Sequence, residues 1–248
     1  MRASSSIPLG KFPEGANALI VGASGGIGGA LASALDEHPR FTRVVRTARA
    51  AAAGVHALDL SDDTSIDAFA RSLEGRIDAL HLVIICAGLL HDEAAGIAPE
   101  KRLADLDRSA LHRSYDVNAV GPALLAQALA ARLPRREHAV WATLSARVGS
   151  IGDNRLGGWY AYRAAKAAQN MLTRTLAIEL GRRHRGLACI ALHPGTVATA
   201  LSAPFRRPEA DGVLTPRASA HHLLTVIDSV DASDTGRFYA FDGKEIAW

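Results

Sequence analysis

Short apolar runs alternate along the 248-residue chain with longer stretches in which apolar residues recur at helical spacing. The apolar runs predict β-strands, and the longer stretches between them predict helices. The predicted strands are Ala18–Val21, Val44–Thr47, Val55–Leu58, Leu80–Cys86, Ala139–Leu144, Ala188–Leu192 and Arg237–Phe241. The predicted helices are Gly26–Asp36, Ser65–Glu74, Ala104–Arg132, Gly158–Gly181 and Pro216–Ser229.

The regular alternation of strand and helix predicts the fold class. Parallel strands need crossover connections, and a helix after each strand supplies one, so a parallel sheet with helices on both faces is expected. Leu80–Cys86 is apolar throughout, as is typical of a strand that is buried on both sides. The sequence therefore predicts a single α/β domain, doubly wound around about seven strands, over residues 16–248.

Two segments fall outside this pattern. Residues 1–15 are small, polar and contain Pro and Gly, so we expect a flexible arm before the domain. Residues 199–215 include Pro204, Pro208 and Gly212, have no clear period and are long for a connection. We expect this second segment to be a substrate loop, with a plain surface excursion as the alternative.

Composition and charge exclude several classes of function. The net charge is only +3, and no Lys/Arg run is interleaved with aromatic residues, so nucleic-acid binding is not expected. No stretch has the apolar length of a membrane span or of a secretory signal. Cys86 and Cys189 lie in apolar runs without His or Cys at ligand spacing, so we expect inert buried thiols and no metal. These features favour a cytoplasmic protein.

A glycine-rich turn follows the first predicted strand and opens the first predicted helix. In dinucleotide-binding proteins, such glycines allow a tight turn, a close backbone approach to pyrophosphate and close packing of helix on strand. The N–H groups at the start of the helix then face the phosphates. This context predicts a Rossmann-type dinucleotide site. Its phosphate-binding residues are expected to be Gly22, Ser24, Gly26, Ile27 and Gly28.

The end of the second strand predicts which dinucleotide binds. An acid there holds the ribose 2′-hydroxyl of NAD, whereas Arg suits the 2′-phosphate of NADP. The stretch from Val44 to Arg49 contains no acid and offers Arg46 and Arg49. We therefore expect NADP(H), with Arg49 favoured and Arg46 left open as the phosphate ligand.

Tyr162 and Lys166 are four residues apart in a predicted helix, so both side chains can face one cleft. A nearby cation favours the phenolate and lowers the pKa of a tyrosine. Such a tyrosine can give a proton to a carbonyl oxygen, or take one from an alcohol. Tyr160 is the competing residue, but four positions onward it meets Ala164 rather than a lysine.

Together these motifs resemble the short-chain dehydrogenase/reductase family over nearly the whole chain, with Val21 standing where a Thr is usual. The resemblance implies hydride transfer between NADP(H) and a small carbonyl or alcohol substrate, in a homodimer or homotetramer. It also implies that Asn118 assists Tyr162 and Lys166 as a third active-site residue. The further cofactor contacts that it implies are Asp59 with adenine, then Ala87, Gly88, Pro194, Gly195, Val197 and Thr199.

The insert before Tyr162, which contains Gly157-Gly158-Trp159-Tyr160, resembles one subgroup of this family. With the ending Phe241-Asp242-Gly243-Lys244, it is similar to the C-factor-like and sniffer-like carbonyl reductases. Where the family usually has two asparagines before Ala87-Gly88, this chain has Ile85 and Cys86.

The catalytic serine is the main departure from the family pattern. Aligned on Gly149, Ser145 takes the place of the first of two usual serines, and Ala146 takes the place of the second, acting one. The chemistry calls for a hydroxyl donor to the developing oxyanion. Ser145 is the first candidate, Ser150 is the second, and a site with no serine is the third. The altered Cys86 and Ala146 positions also motivate an alternative function, a dinucleotide-binding sensor with weak turnover.

Overall fold

The computed structural model describes residues 7–205, 207 and 210–248. Its central sheet has seven strands, all paired in parallel. In chain order these are β1 (Ala16–Val21), β2 (Phe41–Ala48), β3 (His56–Ala57), β4 (Leu82–Ile85), β5 (Ala139–Leu144), β6 (Leu187–His193) and, after two short strands, β9 (Phe238–Ala240). The two short strands, β7 (Thr196–Val197) and β8 (Val213–Leu214), pair with each other outside this sheet.

The order of strands across the sheet is β3-β2-β1-β4-β5-β6-β9. The chain therefore winds outward from β1 to one edge and then from β4 to the other. This is the doubly wound, Rossmann-type α/β arrangement, so the predicted fold class is confirmed.

Helices cover both faces of the sheet. They are α1 (Gly26–Asp36), α2 (Asp63–Ser72), α3 (Arg108–Tyr115), α4 (Gly121–Leu129), α5 (Tyr160–Leu180) and α6 (Pro216–Ser229). One core joins α1 and α6 to side chains such as Ile20 and Ile84. A second core joins α2, α4 and α5 to alternate strand residues such as Leu19 and Val83. Because β4, β5 and β6 contribute side chains to both cores, these central strands are almost continuously apolar.

The predicted helix Ala104–Arg132 is wrong as a single element. A 3₁₀ turn at Leu103–Asp105 ends before Asp107, whose carboxylate accepts a hydrogen bond of 2.9 Å from the Ala110 N–H and so begins α3 separately. A π-helical turn, Asp116–Val120, then joins α3 to α4. Pro122 has no N–H to donate, which interrupts the regular bonding of the helix just after this turn.

The N-terminal segment is packed where an arm was expected. The side chains of Leu9 and Phe12 are each 1% exposed and belong to the core beside α1 and α6. The Phe12 ring lies 5.3 Å from that of Phe41 and 4.7 Å from that of His138. The expectation of a flexible arm is therefore corrected for residues 7–15, and residues 1–6 lie outside the described part. Two isolated apolar side chains give no periodic signal in the sequence, although both pack into the core.

Replacing Phe12 with Ala tests this packing. Loss of a fully buried phenyl ring should lower the free energy of unfolding by about 3–5 kcal/mol. Chemical denaturation of both proteins measures the difference. Leu156→Ala, at a side chain that is 92% exposed, is the control and should change stability by less than about 0.5 kcal/mol. Equal stabilities for Phe12→Ala and the control would contradict the packing.

Candidate active site

The glycine turn lies where β1 ends at the edge of the sheet. Gly22 has φ +84°, and a Cβ there would lie 2.9 Å from the backbone nitrogen of Ala87, which follows β4. A Cβ on Gly28 would collide with the carbonyl oxygen of Gly22, so α1 can pack on the turn only because residue 28 is glycine. The stretch 24–26 is exposed, and the α1 N-cap makes no side-chain hydrogen bond. The first N–H groups of α1 are thus available to an anion.

Several other predicted cofactor residues surround the same turn. A Cβ on Gly26 would lie 3.0 Å from the Thr199 methyl group, and one on Gly88 would lie 3.7 Å from the Lys166 amino nitrogen. Pro194 follows β6, and its carbonyl oxygen accepts a hydrogen bond of 2.8 Å from Ser219 at the start of α6. The sheet edge therefore brings the glycine turn, Gly88 and the segment after β6 to one groove. Gly195 and Val197 lie in that segment, and Val197 belongs to β7.

The two candidate arginines differ in their surroundings. The Arg46 guanidinium forms an ion pair with the Asp36 carboxylate at the end of α1. Arg49 is exposed and makes no ion pair within the described residues. Hydrogen bonds from Ser61 chiefly hold the pKa of Asp59 below its usual range, and the charges of Arg113 and then Arg49 contribute. Arg49 thus lies near the predicted adenine contact.

Tyr162 and Lys166 occupy the first two turns of α5 and are buried, with exposed fractions of 8% and 2%. The Lys166 amino nitrogen lies 5.7 Å from the centre of the Tyr162 ring. It donates hydrogen bonds of 2.8 Å to the carbonyl oxygen of Leu144, the last residue of β5, and 3.0 Å to Gln169 Oε1. The helix thus places the two side chains together, as the spacing predicted.

Burial controls the acidity of both groups. It raises the pKa of the Tyr162 phenol well above its ordinary value and lowers the pKa of Lys166 to about 7, although the two hydrogen bonds of Lys166 favour its charged form. The expectation that Lys166 lowers the pKa of Tyr162 is therefore not met in this structure. Lys166 lies near the ring of Tyr162, and burial is the cause of the raised pKa of the phenol.

Asn118 lies within the π-helical turn and is fully buried. Its Oδ1 accepts a hydrogen bond of 3.0 Å from the Leu89 N–H, while its Nδ2 donates to the Leu89 carbonyl oxygen at 2.8 Å. Nδ2 also lies 3.0 Å from the Ser114 carbonyl oxygen and 3.2 Å from Ser114 Oγ. The π-turn therefore lets Asn118 tie α3 to the loop after β4, next to Gly88. The sequence did not indicate Ser114, although it is four residues before Asn118 on one helical face.

The candidate serines are both buried, and neither hydroxyl is hydrogen-bonded to Tyr162 in the structure. The Ser145 Oγ donates to Asn170 Oδ1 at 2.6 Å, and the Ser150 Oγ accepts from the Asp153 N–H at 3.2 Å. Ala146 is half-buried just beyond β5. The position that the family pattern assigns to the acting serine thus carries a methyl group.

An aromatic row lies over the cleft beside Tyr162. The Trp159 ring is 6.3 Å from that of Tyr162 and 5.1 Å from that of Phe205, which in turn is 5.7 Å from His91. The His91 Nε2 lies 3.2 Å from the Ala200 carbonyl oxygen. The described part of the 199–215 segment therefore contacts both Trp159, just before α5, and His91, in the loop after β4. Pro208, with Arg206 and Glu209, lies outside the described residues.

Glu100 is a buried residue that the sequence analysis did not indicate. Its carboxylate accepts a hydrogen bond from Ala161, the residue before Tyr162, at 3.1 Å. The two residues are 61 positions apart, so no local pattern signals the contact.

Cys86 is half-buried and Cys189 is buried. Cys86 and Cys189 are unpaired, and burial raises the pKa of Cys189 to about 12. Burial also raises the pKa of the Cys86 thiol. Over residues 7–205, 207 and 210–248, no three metal-ligating side chains come together. None of the helices in that part of the chain is long and apolar enough to cross a membrane.

Comparisons with known proteins identify the family. A family model described as short chain dehydrogenase matches residues 16–210. The chain is 32% identical over 238 residues to the 1-hydroxy-2-glutathionyl-2-methyl-3-butene dehydrogenase of Rhodococcus sp., an alignment that covers 93% of this chain and 98% of that protein.

Solved structures share the fold. The NADPH-bound carbonyl reductase from chicken fatty liver matches with a TM-score of 0.80 and 25% identity, covering 99% of this chain and 100% of that one. The carbonyl reductase Sniffer of D. melanogaster matches with a TM-score of 0.78 and 23% identity, covering 95% and 100%, and supports the fold alone. The resemblance drawn from the sequence motifs is confirmed. This chain belongs to the short-chain dehydrogenase family of oxidoreductases.

Proposed function

We propose that this protein transfers hydride between NADP(H) and a carbonyl or alcohol substrate, with Tyr162 as the general acid and base. The observation that carries the proposal is the meeting of Tyr162, Lys166 and Gly88 at the groove that begins with the glycine turn. A proton donor and a backbone cradle for a dinucleotide are thereby adjacent. The substrate is expected to be an apolar carbonyl compound, since the aromatic rings of Trp159 and Phe205 lie beside Tyr162.

The groove fits a nicotinamide dinucleotide on stereochemical grounds. A Cβ on Gly22 would collide with the backbone of Ala87, and one on Gly88 would press on the Asn118 amide, so these glycines let the walls of the groove approach closely. Arg49 would meet the 2′-phosphate and Asp59 the adenine, while Thr199 would hold the nicotinamide amide. Ala87, Pro194, Gly195 and Val197 would complete the walls, with Ser24, Ile27 and Gly28 at the phosphates. The cofactor, when bound, supplies or accepts the hydride.

In the reduction direction, the Tyr162 hydroxyl donates its proton to the carbonyl oxygen as hydride reaches the carbonyl carbon. Because burial raises its pKa, Tyr162 is fully protonated at neutral pH, as a general acid must be. Lys166 in its charged form stabilises the phenolate that results. Asn118, through its bonds to Leu89 and Ser114, holds the wall of the cleft next to Gly88. Oxidation of an alcohol uses the same groups in reverse.

We keep Ser145 as the proposed oxyanion donor and Ser150 as its alternative. The Ser145 hydroxyl must turn away from Asn170 to reach a substrate oxygen. A second candidate function, dinucleotide sensing with weak turnover, is favoured by Ala146 at the position of the usual acting serine. Intact Tyr162, Lys166 and Asn118 favour catalysis.

We also propose a homodimer or homotetramer in the cytoplasm. Met171 and Ile178 are exposed large apolar side chains on α5, and covering them by a second copy would remove apolar surface from water. The unpaired thiols Cys86 and Cys189 suit a reducing compartment.

Tyr162→Phe tests the proton donor. Removing the hydroxyl should lower kcat for NADPH-dependent carbonyl reduction by about 100-fold or more. The affinity for NADPH, measured by fluorescence titration, should stay within about threefold, since packing of the ring is retained. Tyr160→Phe on the same helix is the matched control and should keep full activity. Activity of Tyr162→Phe equal to that of the control would overturn the assignment.

The charge of Lys166 makes a prediction for stability. In the folded protein its pKa is about 7, whereas in the unfolded chain it is near 10.5, so between these values the unfolded chain binds more protons. Stability should therefore rise with pH in this window. Relative to Lys166→Met, the free energy of unfolding of the wild type should increase by about 1–2 kcal/mol from pH 7.5 to pH 9. A difference that is constant or decreases with pH would show that Lys166 stays charged in the fold.

Arg49→Ala tests cofactor preference. Loss of a charge-assisted bond to the 2′-phosphate should raise KM for NADPH by about 10–100-fold and leave KM for NADH nearly unchanged. Arg46→Ala should have a smaller effect because its guanidinium is paired with Asp36. Steady-state kinetics of both variants and of the double variant measure the difference. Equal losses with both cofactors would refute the 2′-phosphate assignment.

A further inference from the structure

The start of α5, the helix that carries Tyr162, has no cap of its own. Trp159 is its N-cap residue, has φ +53° in the left-handed region, and makes no capping bond through its side chain. The first turn contains no acid. The first N–H groups of a helix have no partners within it, so acceptors must come from elsewhere.

Glu100 supplies these acceptors from the loop that precedes α3. Its Oε2 accepts the Ala161 N–H at 3.1 Å, and its backbone carbonyl oxygen accepts the Trp159 N–H at 2.5 Å. Ala161 is the second residue of α5, so Glu100 makes the contact that an N-cap side chain would otherwise make. Its negative charge also suits the positive end of the helix dipole.

The peptide group that follows Ala161 also accepts a hydrogen bond from outside α5. The Ser114 Oγ donates to the Ala161 carbonyl oxygen at 3.3 Å and accepts a bond from Asn118 Nδ2. Both peptide groups of Ala161 are thus held by side chains from outside α5. Since Tyr162 follows directly, its backbone direction depends on these two contacts.

The second carboxylate oxygen of Glu100 distinguishes this contact from an ordinary cap. Oε1 is buried and has no hydrogen-bond partner among the described residues. Glu100 lines a cavity of about 10 Å³, room for about one water, together with Ser114 and Tyr162. The buried carboxylate therefore belongs to the Tyr162 site as well as to the helix end.

We propose that Glu100 is a positioning residue for the reaction, which fixes the first turn of α5 and thereby the direction of the Tyr162 hydroxyl. The inference rests on the proposed function, because it assigns Glu100 a role in the same proton transfer. Glu100 acts through Ala161 and Trp159 and is not itself the proton donor.

Three variants test the role of Glu100 in carbonyl reduction with NADPH. Glu100→Ala removes the acceptor and should lower kcat by on the order of 10–100-fold, since small misplacements of a catalytic group have effects of this size. The Kd for NADPH should stay within roughly twofold, because the glycine turn and Arg49 are untouched. Glu100→Gln keeps an oxygen for the Ala161 N–H and should restore kcat to within about threefold of the wild type. Asp62→Ala is the control, since it removes a carboxylate cap from α2, and should leave kcat unchanged.

The outcomes separate this inference from the proposed function. A wild type without turnover would overturn both. A wild type with turnover, together with full kcat in folded Glu100→Ala, would overturn the positioning role alone, as would equal losses in the Ala and Gln variants. Should Glu100→Ala fail to fold, Glu100→Asp withdraws the carboxylate by one methylene and should lower kcat severalfold. Unchanged kcat in that variant would overturn the inference.

Discussion

The buried amino group of Lys166 is the constraint on which the rest of the site depends. A lysine that is 2% exposed needs acceptors, and it finds one in the Leu144 carbonyl oxygen at the end of β5. That bond holds the first turns of α5 at the edge of the sheet where the glycine turn also lies. A Cβ on Gly149 would come 2.8 Å from the Lys166 Cβ, so the turn after β5 can approach this closely only without a side chain. Tyr162, one helical turn earlier, is buried next to Lys166.

Much of this arrangement could be predicted because its signals are local. The glycine turn and the Tyr162–Lys166 spacing are set within a few residues, and α1 and α6 begin and end at the predicted residues. The apolar runs likewise gave all seven strands of the sheet, with ends shifted by a few residues. The cofactor and catalytic roles of the individual residues stay predictions.

The features that the sequence did not indicate depend on contacts between distant segments. Leu9 and Phe12 fill a core built mainly from residues far along the chain. Glu100 reaches Ala161 across 61 positions, and the π-turn at Asn118 replaces the straight helix that periodicity favoured. In each case a tertiary contact decides the local structure. The residue that makes this contact is distant in the sequence, so the local pattern of apolar and polar residues does not indicate it.

The serine remains the point at which chain and family pattern differ. Ser145 is bound to Asn170, and Ala146 presents a methyl group, so Tyr162 and Lys166 carry more of the proposed chemistry than they would beside an intact serine pair. The most direct measurement of the central claim is the fate of deuterium from NADPH labelled at the reactive nicotinamide carbon. Incubation with a panel of aldehydes and ketones, followed by mass spectrometry, should find one deuterium on the carbinol carbon of a product alcohol. Tight NADPH binding without deuterium in any product would contradict hydride transfer and favour a sensor.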